Sequence, residues 1–255
     1  MSTAASRLYR FTPQTASLLI VAALAWLATV RGSLGMGTIP GTKGLTLGSF
    51  IAIWTLMMSA MMLPSVAPLA SMYARSVRYA RPWRLAAFAS GYLLVWATAS
   101  LPFFGLASLV GNLANVHSKG ATIAAAVMFG TCGLYQLTPL KRRCLKHCRS
   151  PLSLLLRYGS WRGKLRDLRA GLHHGAYCLG CCWALFVLLI ALGLMNLVVM
   201  IVLSGVVLIE KLWSRGEGFS RLVAAAALGL AIAVFFVPEL APGLVHNARM
   251  GGMGL

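Results

Sequence analysis

Long stretches of this 255-residue chain contain no charged residue, notably 44–74, 85–118, 120–140 and 170–209. A transmembrane helix needs about 20 apolar residues, so each stretch is long enough to cross a bilayer. Within hydrocarbon every backbone amide must be paired inside the protein, and a helix achieves this within its own segment. No alternating apolar and polar pattern indicates a strand. The sequence therefore predicts an all-α, polytopic bundle of transmembrane helices embedded in a lipid bilayer.

The apolar segments number seven, with the fifth and sixth separated by a predicted reversal. They lie at about 14–30, 46–72, 85–110, 121–139, 174–193, 195–210 and 222–237. A single uncharged helix over 175–209 would be about 50 Å long at 1.5 Å per residue, whereas the hydrocarbon core is about 30 Å thick. We therefore expect the chain to turn near Gly193–Asn196. Residues 1–255 are predicted to form a single transmembrane domain.

The basic residues indicate the orientation of these spans. With seven spans and a cytoplasmic N-terminus, 19 of the 23 Lys and Arg residues lie on the cytoplasmic side. Six spans would leave only 17 there, so the positive-inside rule favours seven. The segment 140–173 is the most basic, and we predict that it is a cytoplasmic loop. We interpret the excess of basic residues, and with it the net charge of +19, as a signal that sets the topology of the spans. Nucleic acid is not an expected partner, because no aromatic residues are interleaved with the charges.

The most distinctive motif is a group of cysteines in the fifth apolar segment. Cys178, Cys181 and Cys182 share one helical face, and His174 lies one turn earlier on the same stripe. Three thiols and an imidazole form a soft donor set suited to Cu(I), with Zn(II) as a second possibility. The alternative is that the cysteines pack as small hydrophobic residues.

Four methionines in the second apolar segment occupy two adjacent rows of one helix: Met57 with Met61, and Met58 with Met62. Thioethers bind Cu(I) without adding charge, although methionine also serves as an adaptable packing residue. Pro64 and Pro68 are expected to break or kink this helix. Counting the rise along each segment, we predict that these methionines, Cys132 and the cysteine motif meet in the cytoplasmic half of the bundle.

A third motif lies within the basic segment 140–173. Cys144 and Cys148 are one helical turn apart, and His147 lies beside them. These residues either form a metal-acquisition point at the cytoplasmic surface or belong to an ordinary basic interfacial segment. The neighbouring cations are expected to lower the pKa values of the two thiols.

At these motifs the sequence resembles a bacterial family of integral membrane proteins, the domain of unknown function 2182 (DUF2182), described as predicted metal-binding. The resemblance covers about residues 50–212. It is carried by these stretches: Met57–Pro68, Gly133–Lys141 with Cys144 and Cys148, Tyr177–Trp183, Gly193–Leu197 and Glu210-Lys211. It implies a metal-binding protein that spans the inner (plasma) membrane of a bacterium, and it favours the Met57–Met62 methionines and Cys144, Cys148, Cys178, Cys181 and Cys182 as ligands. It does not name the metal.

The motifs together favour a protein that handles a metal ion, with Cu(I) preferred, and a metal-delivery protein is one candidate partner. The sequence leaves open whether the metal crosses the membrane, is stored or is delivered. Two alternatives remain open. Cys178, Cys181 and Cys182 could instead form a thiol redox centre, or the chain could be a scaffold subunit of a membrane complex. The sequence indicates no catalytic residue and no oligomeric state.

Overall fold

The computed structural model describes residues 13–36, 45–76, 82–116 and 118–244. Within these ranges the chain forms nine α-helices and one short 3-10 helix with both ends described, residues 242–244 are also helical, and there is no strand. The helices are α1 Pro13–Met36, α2 Leu47–Ser76, α3 Pro82–Val116, α4 Ser118–Leu137, α5 Pro139–Cys148, α6 Pro151–Gly159, α7 Arg166–Leu192, α8 Leu197–Leu212 and α9 Gly216–Phe236, followed by the 3-10 helix Pro238–Leu240. The all-α prediction is confirmed.

Six of these helices are long and apolar enough to cross a membrane: α1, α2, α3, α4, α7 and α9. The predicted sixth span corresponds to α8, which has only 16 residues. At 1.5 Å per residue it is about 24 Å long, shorter than a typical span. The count of seven spans and the cytoplasmic N-terminus therefore stay predictions. Residues 1–12 and 245–255, on which the sides of the two termini depend, lie outside the described residues.

The predicted reversal between α7 and α8 is confirmed. Gly193 follows the end of α7 with a φ of +102°, a conformation that glycine adopts without steric cost. Asn196 then caps α8, because its side chain accepts hydrogen bonds from two backbone N–H groups of the first turn. At the far end of α8, the Nζ atom of Lys211 lies 3.0 Å from the Sγ atom of Cys178 on α7. The two helices therefore run back along each other.

Most of the basic segment 140–173, the predicted cytoplasmic loop, is helical, and its side of the membrane stays a prediction. Thr138 and Pro139 start α5, since the Thr138 hydroxyl accepts a backbone N–H of the first turn and proline suits the first helical position. The basic segment also contains α6 and the first residues of α7. That helix begins well before the predicted fifth span, because Asp167 in its first turn pairs with Arg84 of α3 at 2.8 Å.

The prediction of a break at the two prolines of the methionine helix is wrong. α2 continues through both Pro64 and Pro68 to Ser76. A proline inside a helix removes one backbone hydrogen bond, and the packing of α2 against its neighbours outweighs that loss. The face of α2 that carries the methionines therefore extends without interruption to Ser65, which lies in the candidate site.

Close packing of α3 against α7 fixes the position of the cysteine helix. A Cβ atom at Gly171 would overlap the carbonyl oxygen of Phe88, and one at Gly91 would overlap that of Leu168. Small residues allow two helix backbones to approach to this distance, as they do in many membrane helix pairs. The cysteine motif thus lies on a helix that cannot shift relative to α3 without losing this contact.

Candidate metal site

The structure brings two of the sequence motifs together into one group of thiols. Cys178, Cys181 and Cys182 of α7 are each almost completely buried. The Sγ atom of Cys181 lies 3.1 Å from that of Cys182 and 4.0 Å from that of Cys148 at the end of α5. We refer to Cys148, Cys178, Cys181 and Cys182 as the sulfur cluster. All six cysteines of the chain are free thiols.

A glycine allows α5 to approach α7 at this point. A Cβ atom at Gly180 would lie 3.0 Å from the Sγ atom of Cys144, and the hydroxyl of Tyr135 donates to the Gly180 carbonyl. Cys144 is therefore close to the sulfur cluster but buried against a backbone. Burial raises the pKa of the Cys144 thiol and outweighs the opposite effect of Lys141. The expected effect of a neighbouring cation is therefore present but smaller than the effect of burial.

The spacing of the sulfur atoms shows how close the group is to a metal-binding geometry. With metal–sulfur bonds of about 2.3 Å, two thiolates on one ion are about 3.8 to 4.6 Å apart. The 4.0 Å between Cys148 and Cys181 lies in this range, whereas the 3.1 Å between Cys181 and Cys182 is too short. The Cys181 thiol also donates to the carbonyl of Cys178 at 3.1 Å.

Accordingly, in this arrangement no group of three or more His, Cys, Asp or Glu side chains within the described ranges is placed to hold a metal ion. Three-ligand coordination requires the Cys181 side chain to rotate out of its hydrogen bond. The chemistry of the donors suits a soft ion, because thiolates select Cu(I) and Zn(II) over hard cations.

A buried lysine faces the sulfur cluster from α8. The Nζ atom of Lys211 lies 3.0 Å from the Sγ atom of Cys178 and 3.0 Å from the Oγ atom of Ser65 on α2. The hydroxyl of Tyr92 on α3 lies 3.0 Å from the same sulfur. In a medium of low dielectric constant, an ammonium at this distance strongly stabilises negative charge on sulfur. In the sequence, Lys211 was named only in the Glu210-Lys211 pair that carries the family resemblance, although an ionisable residue at the end of an apolar segment is itself a signal of function.

A second buried lysine anchors α5. The side chains of Lys141 and Glu210 form an ion pair of 2.7 Å, and each is only 1% exposed. Gln136 of α4 donates to the other carboxylate oxygen at 3.0 Å, and Ser220 of α9 lies 3.1 Å from the amide oxygen of Gln136. Four helices meet at this network. It holds α5 in place and therefore positions Cys148.

His174 lies on α7 one turn before Cys178 and is buried. Its ring packs beside Phe88 and Tyr92, with centroid separations of 6.2 and 5.9 Å. The Nδ1 atom has no hydrogen-bond partner among the residues described. His174 therefore offers an unpaired nitrogen on the α3 side of the sulfur cluster, and it shares Tyr92 with Cys178.

The remaining predicted ligands lie in the core around this site. Cys132 is fully buried on α4, one turn before Gln136. The α2 methionines are equally buried: Met57, Met58, Met61 and Met62. Met61 and Met62 precede Ser65, the partner of Lys211, by one turn. Within the described part of the chain, the hydrogen bonds between sulfur atoms join Cys148, Cys181 and Cys182, and they include neither Cys132 nor these methionines.

His147, the last predicted ligand, is placed outside the sulfur cluster but next to it. Its ring stacks on that of Tyr177 with a centroid separation of 3.7 Å. Burial, together with the charges of His173 and Arg157, lowers the pKa of His147 to about 4. The imidazole is therefore uncharged at neutral pH, and the ring keeps a lone pair.

The comparisons with known proteins point to copper. No curated protein and no solved structure matches the chain. A family model named PpoB2 and described as a copper chaperone matches residues 51–234, a range that includes the sulfur cluster and the α2 methionines. The name PpoB2 differs from that of DUF2182, the family that the motifs resemble. The PpoB2 description specifies copper, whereas the resemblance implied only a metal. Because the match covers most of its length, the chain belongs to the PpoB2 family of copper chaperones.

Proposed function

We propose that the protein is an integral membrane copper chaperone that binds Cu(I) as cargo through its sulfur cluster. Its insertion into a membrane is supported by the six long apolar helices. It is also supported by the large apolar side chains that these helices leave exposed, such as Leu24, Leu109, Val127 and Phe236. In water such a surface would favour aggregation, whereas lipid accommodates it. The proposed location is the inner membrane of a bacterium.

The observation that carries this proposal is the contact between Cys148 and Cys181. These thiols come from motifs more than 30 residues apart, yet their Sγ atoms lie 4.0 Å apart. This is the separation expected of two thiolates that share one soft ion. Cys182 adjoins them, and its 3.1 Å contact with Cys181 would have to lengthen for all three sulfur atoms to bind one ion. Cys178 completes the group from one turn earlier on α7.

Charge balance supports Cu(I) as the cargo. A monovalent ion bound by two or more thiolates leaves a net negative charge, which is costly to bury without a partner. Lys211 provides a cation 3.0 Å from the Cys178 sulfur, whereas the charge of Lys141 is already neutralised by Glu210. Zn(II) also binds such a donor set, so it serves as the competitor in any test.

The α2 methionines are proposed as further ligands, because Met61 and Met62 lie one turn from Ser65, which contacts Lys211. A neutral thioether pair adjacent to a thiolate site can accept Cu(I) without a further charge. The partner protein that supplies or receives copper is expected at the basic end of the bundle, where Cys148 is only half-buried.

Titration of purified protein with Cu(I) against a chromogenic chelator tests this function. The protein is purified under reducing conditions through a tag that lacks histidine and cysteine. We expect wild type to compete with the chelator and Cys181→Ser to lose most of this ability, because Cys181 contacts both Cys148 and Cys182. Cys132→Ser, another buried cysteine, is the matched control and retains binding. Equal competition by wild type and Cys181→Ser would refute the proposed site.

The 3.1 Å contact between Cys181 and Cys182 supports a second candidate function, a thiol redox centre. Adjacent cysteines form strained and therefore easily reduced disulfides. Mass spectrometry of the metal-free protein after mild oxidation separates the two functions. Redox activity requires a reversible loss of these two thiols without metal, whereas copper binding requires both to stay reduced.

A further inference from the structure

A pair of histidines lies immediately beside the sulfur cluster, on the side that is less buried. His147 of α5 and His173 of α7 have ring centroids 5.3 Å apart. Both side chains are half-buried, as is Cys148, whereas Cys178, Cys181 and Cys182 are almost inaccessible. An ion approaching from outside the protein therefore meets the two imidazoles before it meets the inner thiols.

Each imidazole has a ring nitrogen that the fold leaves available. The Nε2 atom of His147 is buried and has no hydrogen-bond partner among the described residues. The Nδ1 atom of His173 lies 3.1 Å from the hydroxyl of Tyr158 on α6. A histidine that ligates a metal commonly donates its other ring N–H to a neighbouring oxygen. Tyr158 can fill this role for His173 and leave its Nε2 atom with a free lone pair.

Aromatic packing alone does not account for this arrangement. His147 stacks on Tyr177, and a phenylalanine would make the same contact without burying a polar atom. Most buried polar groups in proteins have a hydrogen-bond partner, so an unpaired imidazole nitrogen calls for a specific cause. A ligand that accepts a lone pair provides one.

We propose that His147 and His173 form a second Cu(I) site, a loading site through which copper reaches the sulfur cluster. This proposal rests on the proposed function, because it assigns an origin to the copper that the cluster holds. Cys148 connects the two sites: it follows His147 in the chain, and its sulfur lies 4.0 Å from that of Cys181.

Transfer from the loading site is an exchange of ligands without a change of oxidation state. A bond from Cu(I) to an imidazole nitrogen breaks as a bond to the Cys148 sulfur forms, and the thiol proton leaves to water at this half-buried position. The copper stays Cu(I) throughout. Soft thiolates hold Cu(I) more tightly than imidazoles do, so the exchange proceeds towards the cluster.

X-ray absorption at the copper edge tests the loading site when the sulfur cluster has been removed. In a variant with Cys148, Cys178, Cys181 and Cys182 all replaced by Ser, we expect Cu(I) to remain bound through nitrogen ligands. Adding His147→Phe and His173→Phe should abolish this binding, and adding Tyr158→Phe should weaken it about 10- to 100-fold, as the loss of an outer hydrogen bond to a ligand does. Adding Tyr177→Phe, which keeps the ring that stacks on His147, is the matched control and should preserve it. Nitrogen-ligated copper that survives the two His→Phe substitutions would overturn the proposal.

Loading kinetics in the otherwise unchanged protein provide a second test, which holds even where the serine variant does not fold. We expect His147→Phe with His173→Phe to slow the transfer of Cu(I) from a chelator while leaving the equilibrium affinity of the sulfur cluster unchanged. An unaltered rate would refute the loading site. Absence of sulfur ligands from copper-loaded wild type would instead refute the proposed function, so the two failures are distinguishable.

Discussion

Two buried lysines approach the candidate site from different helices, and their partners differ in kind. Lys141 of α5 is paired with the carboxylate of Glu210, which a glutamine also contacts. Lys211, the next residue after Glu210, is directed instead towards the Cys178 sulfur and a serine hydroxyl. Lys141 has a permanent counter-charge in Glu210. Lys211 has a counter-charge only when the Cys178 sulfur is deprotonated or holds a metal.

This difference separates a structural centre from a chemical one. The Lys141–Glu210 pair neutralises itself, so its main effect is to hold α5, α8 and their neighbours together. Lys211 carries an excess positive charge that costs free energy to bury. That cost is offset when negative charge is placed on the sulfur cluster. The comparison therefore predicts that variants of the two centres change different measurable properties.

The largest expected effect follows from Glu210→Gln. It leaves Lys141 as an unpaired charge in a site that is 1% exposed, and breaking a buried ion pair in this way costs about 3–5 kcal/mol. We expect a marked fall in the midpoint of unfolding in detergent. Glu217→Gln is the control, since its 3.8 Å pair with Lys146 is exposed and worth at most about 1 kcal/mol. Equal midpoints for the two variants would contradict the structural role.

The next effect concerns Lys211→Met, which preserves side-chain volume and removes the cation beside Cys178. We expect Cu(I) affinity to fall about 10- to 100-fold, the range found when a group that supports a metal ligand is lost. Competition with a chelator measures this change. Lys211→Arg keeps the charge and should restore most of the affinity. Wild-type affinity in Lys211→Met would show that the cation does not serve the copper site.

The smallest effects come from the serines at the two centres. Ser220→Ala removes the contact to Gln136 and should lower the free energy of unfolding by about 0.5–1.5 kcal/mol, the usual value of one hydrogen bond, with copper affinity unchanged. Ser65→Ala removes the contact to Lys211 and should weaken Cu(I) binding with little loss of stability. Unfolding and chelator titrations on both variants check this, and the reverse pattern would contradict the division into two centres.

Features that depend on local sequence were predictable. The all-α architecture follows from the length of the uncharged segments, and the turn at Gly193 follows because 35 uncharged residues exceed the thickness of a bilayer. The common face of Cys178, Cys181 and Cys182 follows from the period of the α-helix. Each of these inferences needs only one stretch of chain at a time.

Features that depend on contacts between helices were not predictable. The charges of 140–173 were interpreted as a topology signal, and this concealed that Lys141 points inward to Glu210. The contact of Cys148 with Cys181 depends on how α5 packs over Gly180, which a periodic pattern does not encode. The continuity of α2 through Pro64 likewise depends on its neighbours, because tertiary packing outweighs local propensity.

The turn at Gly193 also imposes a length requirement on the chain. Cys178 lies about 21 Å before the end of α7, and Lys211 lies about the same distance after the start of α8, at 1.5 Å per residue. One residue inserted into α8 alone would rotate Lys211 by about 100° around its helix and direct it away from the sulfur. Neither arm of this hairpin can therefore gain a single residue between the turn and the site without separating Lys211 from Cys178.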